Sequence, residues 1–279
     1  MTVATNLTEL QDQIRTRYND LSKRLKQVAC YVLDNNNSLA FDTVAVIARQ
    51  TDVPPSTLIR FAKAFEFNGF NDMKQLFRKN LVEETVSYTD RARLFKALES
   101  NQQIPEKPSQ ILQAFARVNS QAMDQLAAQT PENKLEAAIE ILSQAENIYL
   151  IGLRRSFSIA SYLTYALRHL ERRAFLVDGL GGMFKEQLSM IGPNDAALSI
   201  SFSPYAQETV ILTEAASQAG AKQIVITDSQ ISPLATFSDV CFVVNEGKVD
   251  AFRSQSASLC LVQSLAVALA FKQGKTHNI

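Results

Sequence analysis

The sequence predicts a two-domain protein in which an all-α bundle is followed by a three-layer α/β domain with a five-stranded parallel sheet. Two features lead to this prediction. In the first third of the chain, apolar residues recur at helical spacing. From Ile148 onward, short continuous apolar runs alternate with amphipathic helical segments, the pattern of a parallel sheet covered on both faces. A length of 279 residues suits two such domains.

The N-terminal domain is predicted to begin with a helix whose apolar stripe ends near residues 34–37. A helix, a tight turn and a second helix follow. The first of this pair is predicted to begin at Asp42 or Thr43, either of which can cap free N–H groups. Thr51–Asp52 forms the turn, and Pro54–Pro55 suits the opening of the second helix, where a missing N–H costs little. Asn68–Gly69 is predicted to end this helix by a left-handed cap.

The second helix of the pair has a buried stripe and a polar face. The stripe comprises Leu58, Phe61, Ala62 and Phe65. Hydroxyls outside the stripe can bond phosphates, and arginine can bond guanine edges or phosphate, as in recognition helices placed in the major groove. The candidate DNA-binding residues are Pro55, Ser56, Thr57, Arg60 and Lys63. The alternative is a small helical bundle with a solvated basic face.

Charge and composition narrow the class of protein. The chain has 28 basic and 28 acidic residues, which argues against a general polyanion binder. Residues 1–80 nevertheless hold 11 basic against 8 acidic residues, a balance that suits contacts with a few phosphates. Three cysteines, interpreted as buried, have no metal-ligand spacing and fit a reduced cytoplasm. The longest apolar run, Leu259–Phe271, is too short for a bilayer span, so no membrane partner is expected.

The domains are predicted at residues 1–84 and 109–279, with a linker at 85–108 that becomes polar and proline-bearing toward its end. The second domain is predicted to open with helices at 109–129 and 131–145. Its predicted strands are 148–151, 174–177, 196–202, 223–227 and 240–244. Its later helices are predicted at 158–170, 182–191, 207–220 and 256–271.

Three loops of this domain are candidate ligand-binding segments, because ligands of parallel sheets bind at the carboxyl ends of the strands. They span residues 152–158, 201–209 and 249–256. Serine hydroxyls, helix N-termini and guanidinium groups there favour an anion. The candidate effector-binding residues are Arg154, Arg155, Ser156, Ser201, Ser203, Arg253 and Ser254. The alternative is that the serines are N-caps and the arginines are solvated.

The order of these parts resembles the RpiR/MurR-type bacterial transcription regulators, which join a helix–turn–helix domain to a sugar isomerase (SIS) domain. TLIRFAKAFEFNGFNDMK is similar to the family's T-x-x-R-F-x-x-x-x-G-F-x-G-F pattern, with Glu66 in place of a glycine and Pro54 in place of the usual capping serine. ITDSQISPLATFSDV and FRSQSAS are similar to the family's stretches after the fourth and fifth strands. The resemblance implies a DNA-binding regulator, often a repressor. Its SIS domain would sense a phosphorylated sugar or related metabolite and form a homodimer or homotetramer.

The chain departs from the family in two ligand loops. In the G-x-G-x-S pattern, Gly152 and Ser156 match, and Arg154 replaces the second glycine. The S-x-S-G-x-T pattern keeps its two serines, but Pro204 and Ala206 replace the glycine and threonine. These replacements remove a backbone donor and a hydroxyl. Arg154 or Arg155 is expected to compensate in binding an anionic effector.

An isomerase is the competing class, since SIS folds also catalyse aldose–ketose isomerisation, which needs a general base. His169 is predicted on the outer part of a helix and His277 in the C-terminal tail. Glu208 and Glu246 flank the proposed pocket, and Glu208 suits the first turn of its helix. The sequence therefore predicts a protein that is not an enzyme and uses no cofactor or metal. A third alternative is a SIS sensor that regulates another protein without binding DNA.

Overall fold

The computed structural model describes residues 3–4, 6–85, 87–98 and 107–276. The chain divides into two compact units, an N-terminal unit of residues 1–104 and a C-terminal unit of residues 105–279. The predicted linker 85–108 contains a helix at Tyr88–Leu98, and residues 99–106 lie outside the described part. The functional boundaries proposed from the sequence remain a prediction.

The N-terminal unit is helical, as predicted. Its helices are α1 (Leu7–Arg17), α2 (Lys23–Asp34), α3 (Asn36–Phe41), α4 (Val44–Gln50), α5 (Pro55–Ala64), α6 (Phe70–Glu84) and α7 (Tyr88–Leu98). One core joins α1, α5 and α6, because each contributes side chains that are fully or almost fully buried. The largest of these are Leu10, Ile14, Leu58, Phe61, Met73 and Phe77. This core holds α5 by one face and leaves its opposite face to solvent.

The helix–turn–helix pair consists of α4 and α5. Thr43 caps α4 by accepting a hydrogen bond from the Val46 N–H at 3.3 Å, and Pro55 opens α5, as predicted. The predicted left-handed end at Asn68–Gly69 is wrong, because α5 ends at Ala64 and the left-handed residue is Glu66, with φ 67°.

The chain turns before the predicted end of the helix because Phe67 must reach the core. The Phe67 N–H bonds to the Ala62 carbonyl at 3.1 Å, and the Glu66 N–H bonds to the Lys63 carbonyl at 3.1 Å. Phe67 is thereby buried at 5% exposure. Gly69 is extended and precedes α6. Glu66 therefore adopts a backbone conformation that glycine favours, and it lies at the position where the family pattern has a glycine.

The C-terminal unit contains the predicted five-stranded parallel sheet, in the order β2-β1-β3-β4-β5. The strands are β1 (Asn147–Gly152), β2 (Arg173–Val177), β3 (Ala196–Ile200), β4 (Lys222–Thr227) and β5 (Val240–Val243). A hairpin of β6 (Lys248–Val249) and β7 (Phe252–Arg253) follows. The helices are α8 (Pro108–Gln129), α9 (Glu132–Gln144), α10 (Phe157–His169), α11 (Phe184–Leu188), α12 (Gln207–Gln218) and α13 (Ser256–Thr276).

Helix α11 and strand β3 are among the elements that are shorter than predicted. Helix α11 replaces a predicted helix at 182–191, since Gly181 and Gly182 adopt positive φ values and cannot open an α-helix. Strand β3 ends at Ile200, two residues before the predicted end. Its last residues therefore belong to the loop at the carboxyl edge of the sheet, where ligands bind in such folds.

Helix α13 is the most apolar helix of the C-terminal unit. By length and composition, Ser256–Gly274 could cross a membrane. This segment is longer than Leu259–Phe271, the apolar run that was predicted from the sequence to be too short for a bilayer span. In the fold, α13 contacts α8, α9 and α10. It contributes buried side chains to the core, including Leu261, Val262, Leu265 and Leu269. This packing buries 39% of the apolar window, and the lack of a membrane partner remains a prediction.

Candidate DNA-binding and effector sites

Helix α5 presents most of the predicted DNA-binding residues to solvent. Pro55, Ser56, Arg60 and Lys63 are exposed. Thr57 is not, because it is 6% exposed and lies on the buried side of the helix with Leu58. Its predicted place on the exposed face is therefore wrong. Ser56, Arg60 and Lys63 lie three or four residues apart and form a polar strip along one side of the helix, with Pro55 at its start.

Two cations on α6 support the pair instead of facing solvent. The buried Lys74 ammonium donates to the Asp42 carbonyl, and the Arg78 Nε donates to the Ala40 carbonyl at 3.1 Å. Burial and the nearby Arg78 charge lower the pKa of Lys74. These bonds satisfy carbonyls at the end of α3, directly before α4 begins. The N-terminal unit thus uses part of its positive charge for structure.

The three predicted loops of the C-terminal unit meet at one pocket at the carboxyl edge of the sheet. The pocket is open to solvent, and its empty space, including that open part, is about 230 Å³. It brings together four predicted effector-binding residues, Arg155, Ser156, Arg253 and Ser254. It also includes Ile159, Phe202 and Gln255, which the sequence reasoning did not name as binding residues, and Glu246, which was expected to flank the pocket.

Asp228 organises the loop that follows β3. Its carboxylate accepts the Ser203 N–H at 3.1 Å and the Tyr205 hydroxyl at 2.8 Å. Arg253 lies 4.0 Å from this carboxylate, donates to the Ser203 carbonyl at 3.2 Å, and stacks 4.6 Å from the Phe202 ring centroid. Burial and the Asp228 charge raise the pKa of Tyr205, so the phenol stays a donor. Asp228 lies in the ITDS stretch noted in the sequence, but its role depends on contacts between loops that are distant in the chain.

The two predicted serines of that loop lie on either side of the pocket residue Phe202. Ser201 is 4% exposed and its N–H continues the sheet by bonding to the Ile226 carbonyl at 3.1 Å. Ser203 is half-buried, and its N–H is already engaged by Asp228. A cis peptide bond joins Ser203 to Pro204. An internal carboxylate therefore uses one of the donors that this loop would offer to an anion.

Arg154 does not line the pocket. It adopts φ 55°, so it keeps the left-handed backbone at the position where the family pattern has a glycine. Its side chain is 65% exposed and lies 3.7 Å from the Glu208 carboxylate. Arg155, by contrast, reaches the pocket, and its carbonyl accepts a bond from the Gln255 amide at 2.8 Å. Of the two arginines, Arg155 is therefore placed to meet a ligand.

Glu246 and Gly247 join the pocket to two helices. The Glu246 carboxylate accepts the N–H groups of Ala257 and Ser258, at 3.1 and 2.8 Å, and so caps α13. Gly247 lies against α8, where an added Cβ would come within 2.9 Å of the Val118 carbonyl group. A side chain at residue 247 would therefore force the backbone of α8 away.

Metal binding has no visible basis in the described part of the chain, where no group of three or more His, Cys, Asp or Glu side chains is placed to hold an ion.

The predicted burial of all three cysteines is wrong. Cys30 is exposed, since it lies on the side of α2 away from Val28 and Val32, and its sulfur is 3.1 Å from the Tyr18 hydroxyl. Cys241 and Cys260 are partly buried.

These features define a helix–turn–helix protein with a separate α/β unit that contains a pocket at its sheet edge. Family models agree with both parts, since the rpiR-family helix–turn–helix domain matches residues 8–84 and the SIS domain matches residues 141–271. The chain belongs to the rpiR family of HTH-type transcriptional regulators with a SIS domain.

Two relatives match this chain over most of its length. An uncharacterized HTH-type transcriptional regulator of Haemophilus influenzae is 24% identical, over 93% of this chain and 88% of the relative. The bifunctional protein glk of Burkholderia orbicola is 27% identical over 96% of this chain, which matches 40% of that longer protein.

Solved structures share the fold. The Vibrio vulnificus NanR protein complexed with ManNAc-6P has a TM-score of 0.58 at 22% identity, covering 96% of this chain and 94% of NanR. The sugar isomerase domain of an RpiR transcription factor from Sphaerobacter thermophilus has a TM-score of 0.55 at 24% identity. That domain covers 59% of this chain, and the match spans 91% of the solved chain.

Proposed function

We propose that this transcriptional regulator is controlled by a phosphorylated sugar or related anionic metabolite bound in the pocket at the sheet edge. The observation that carries the proposal is that two arginines, Arg155 and Arg253, and two serines, Ser156 and Ser254, line one pocket. Guanidinium groups and hydroxyls are the donors that phosphates and carboxylates prefer. The ManNAc-6P complex of NanR, a protein of similar fold, supports this class of ligand.

The pocket also restricts the ligand. Glu246 carries a negative charge at its wall, although both carboxylate oxygens accept backbone N–H bonds. Phe202 and Ile159 supply apolar surface beside the arginines. We expect an effector that has one anionic group facing Arg155 and Arg253 and a neutral, partly apolar body facing Phe202.

We propose that the C-terminal unit binds its ligand without turnover. Glu246 is engaged by two N–H groups, and Glu208 is exposed beside Arg154, so neither is placed as a free base in the pocket. His169 ends α10, whereas Ile159 near the start of that helix lines the pocket. Ten residues of helix separate the two by about 15 Å. His277 lies outside the described residues.

We propose that the exposed face of α5 reads a pseudo-palindromic DNA operator. An operator can be obtained by selection of duplexes from a randomised library with the wild-type protein. Arg60→Ala is expected to weaken binding roughly 5- to 150-fold, because a base contact is worth about 1–3 kcal/mol. Lys63→Ala is expected to reduce the slope of log affinity against log salt by about one, the signature of one phosphate contact. Binding isotherms at several salt concentrations measure both.

Lys79→Ala is the matched control, because Lys79 is an exposed cation of the same unit on α6. It should bind the operator like the wild type. Operator binding by folded Arg60→Ala and Lys63→Ala proteins at wild-type affinity would contradict the assignment of α5. Selection of no duplex by the wild type would contradict DNA binding itself.

We propose a cytoplasmic homodimer or homotetramer, since a two-fold operator suits a two-fold protein. Exposed apolar side chains support self-association through α13 and α8, namely Val267 at 55%, Phe271 at 70% and Leu112 at 70% exposure. Light scattering of the wild type should give at least twice the 31.0 kDa chain mass. Phe271→Glu should lower that mass, and Ile231→Glu, at another 68% exposed site, should not. A monomeric wild type would contradict the proposal.

A further inference from the structure

A contact from outside the helix–turn–helix pair holds the end of the recognition helix. Arg17, the last residue of α1, donates from Nη1 to the carbonyl of Ala64, the last residue of α5, at 2.5 Å. The same guanidinium lies 5.0 Å from the centroid of the Phe65 ring. We propose that Arg17 is a positioning residue for DNA recognition, which fixes the C-terminal turn of α5 without touching DNA. The inference rests on the proposed use of α5 in DNA binding.

The chemistry of a helix end explains why a guanidinium suits this place. The last carbonyls of α5 have no partner within the helix, and they form the negative end of its dipole. A cation that hydrogen-bonds there stabilises the last turn. The Phe65 ring offers its face to the same group, and arginine can satisfy the carbonyl and the ring together because its guanidinium is planar.

Helix α1 is a rigid base for this contact. Leu10 and Ile14 are fully buried in the core of the N-terminal unit, and Asn6 caps the helix by accepting the Glu9 N–H at 2.9 Å. Arg17 follows Ile14 by three residues and so lies near the same face of α1. Its side chain is half-buried, which limits the positions that the guanidinium can adopt.

The position of the contact on α5 connects it to DNA. Lys63 is the residue before Ala64, and Arg60 lies one helical turn earlier. A last turn that loses its anchor frays first, and both cations then lose their fixed direction toward the groove. Loss of Arg17 should therefore reduce the affinity for the operator more than the affinity for unrelated DNA, because base contacts require the more exact placement.

The test uses the full chain and the operator selected by the wild type. Arg17→Met keeps much of the apolar stem and removes the guanidinium, whereas Arg17→Lys keeps the charge. Arg15→Met is the matched control, since Arg15 lies on the same helix, is 60% exposed and pairs with Asp12. Affinities for the operator and for a scrambled duplex are measured across a salt series, at temperatures where circular dichroism shows every variant to be fully folded.

We expect Arg17→Met to bind the operator roughly three- to tenfold more weakly, a part of the value of a charge-assisted hydrogen bond. The salt slope should stay at the wild-type value, Arg17→Lys should recover part of the affinity, and Arg15→Met should bind like the wild type. A slope reduced by about one would show that Arg17 contacts a phosphate and would overturn the proposal. Unchanged affinity of folded Arg17→Met would overturn it as well. Selection of no operator by the wild type refutes the proposed function, and with it the premise of this inference.

Discussion

Replacement of Phe61 by alanine is expected to lower the free energy of unfolding of the N-terminal unit by about 3–5 kcal/mol, the range for truncation of a fully buried aromatic residue. Phe61 has no exposed surface and lies 5.0 Å from Phe65, centroid to centroid. Because it anchors the buried side of α5, its loss leaves a cavity directly beneath that helix. Urea denaturation followed by circular dichroism measures the change.

Ile59→Ala is the matched control for Phe61→Ala. Ile59 belongs to the same helix and is also apolar, but it is 46% exposed, so its truncation should change the stability by less than about 1 kcal/mol. Equal losses in the two variants would contradict the assignment of the buried and exposed faces of α5.

Replacement of Arg253 by alanine is expected to weaken effector binding roughly 10- to 150-fold, as expected for loss of a charge-assisted hydrogen bond worth about 1.5–3 kcal/mol. Arg253 is placed for this role because its side chain is only 14% exposed and is held by Ser203, Phe202 and Asp228. The probe is whichever phosphorylated sugar or carboxylate metabolite of a defined panel most raises the melting temperature of the wild type. At about 100 times its dissociation constant, that compound should stabilise the fold by roughly 2.7 kcal/mol.

Arg154→Ala is the matched control for Arg253→Ala. Arg154 is 65% exposed and does not line the pocket, so its loss should weaken binding no more than about threefold. An equal loss in both variants, or none in Arg253→Ala, would contradict the assignment of the pocket. Consumption of the same compounds by the wild type would favour the isomerase class instead.

The sequence predicted the elements of the fold because their periods and caps are local. Thr43 and Pro55 mark helix starts through their own side chains, and the strands of the sheet are continuous apolar runs. The end of α5 was not predictable in the same way. Glu66 adopts the left-handed conformation that glycine favours, because two phenylalanines on either side of it must both reach the core. Here tertiary packing overrides the local preference.

The candidate effector site was predictable at the level of loops but not of side chains. Strand ends of a parallel sheet share one edge, so Ser156 and Arg253 were expected to meet although about 100 residues separate them. The internal use of the same groups was not expected. Asp228 takes up the Ser203 N–H, and Arg154 turns to Glu208. Such pairings depend on loop conformation, which residue type and spacing do not determine.

Gly247 packs directly against the backbone in the middle of α8, so this contact is a point about which the helix can tilt. Because no side chain separates the two backbones, residue 247 cannot approach α8 unless the helix itself moves. The contact falls at Val118, ten residues from the start of α8 at Pro108, so one arm of this lever is about 15 Å long. A tilt of about 5° would displace the start of the helix by roughly 1.3 Å over that arm. The Gly247 carbonyl accepts a hydrogen bond from the N–H of Ser254, a pocket residue, at 2.8 Å. Helix α8 is the first helix of the C-terminal unit. A rearrangement of the pocket that moved this glycine toward α8 would therefore displace the start of that helix, where the chain enters the unit.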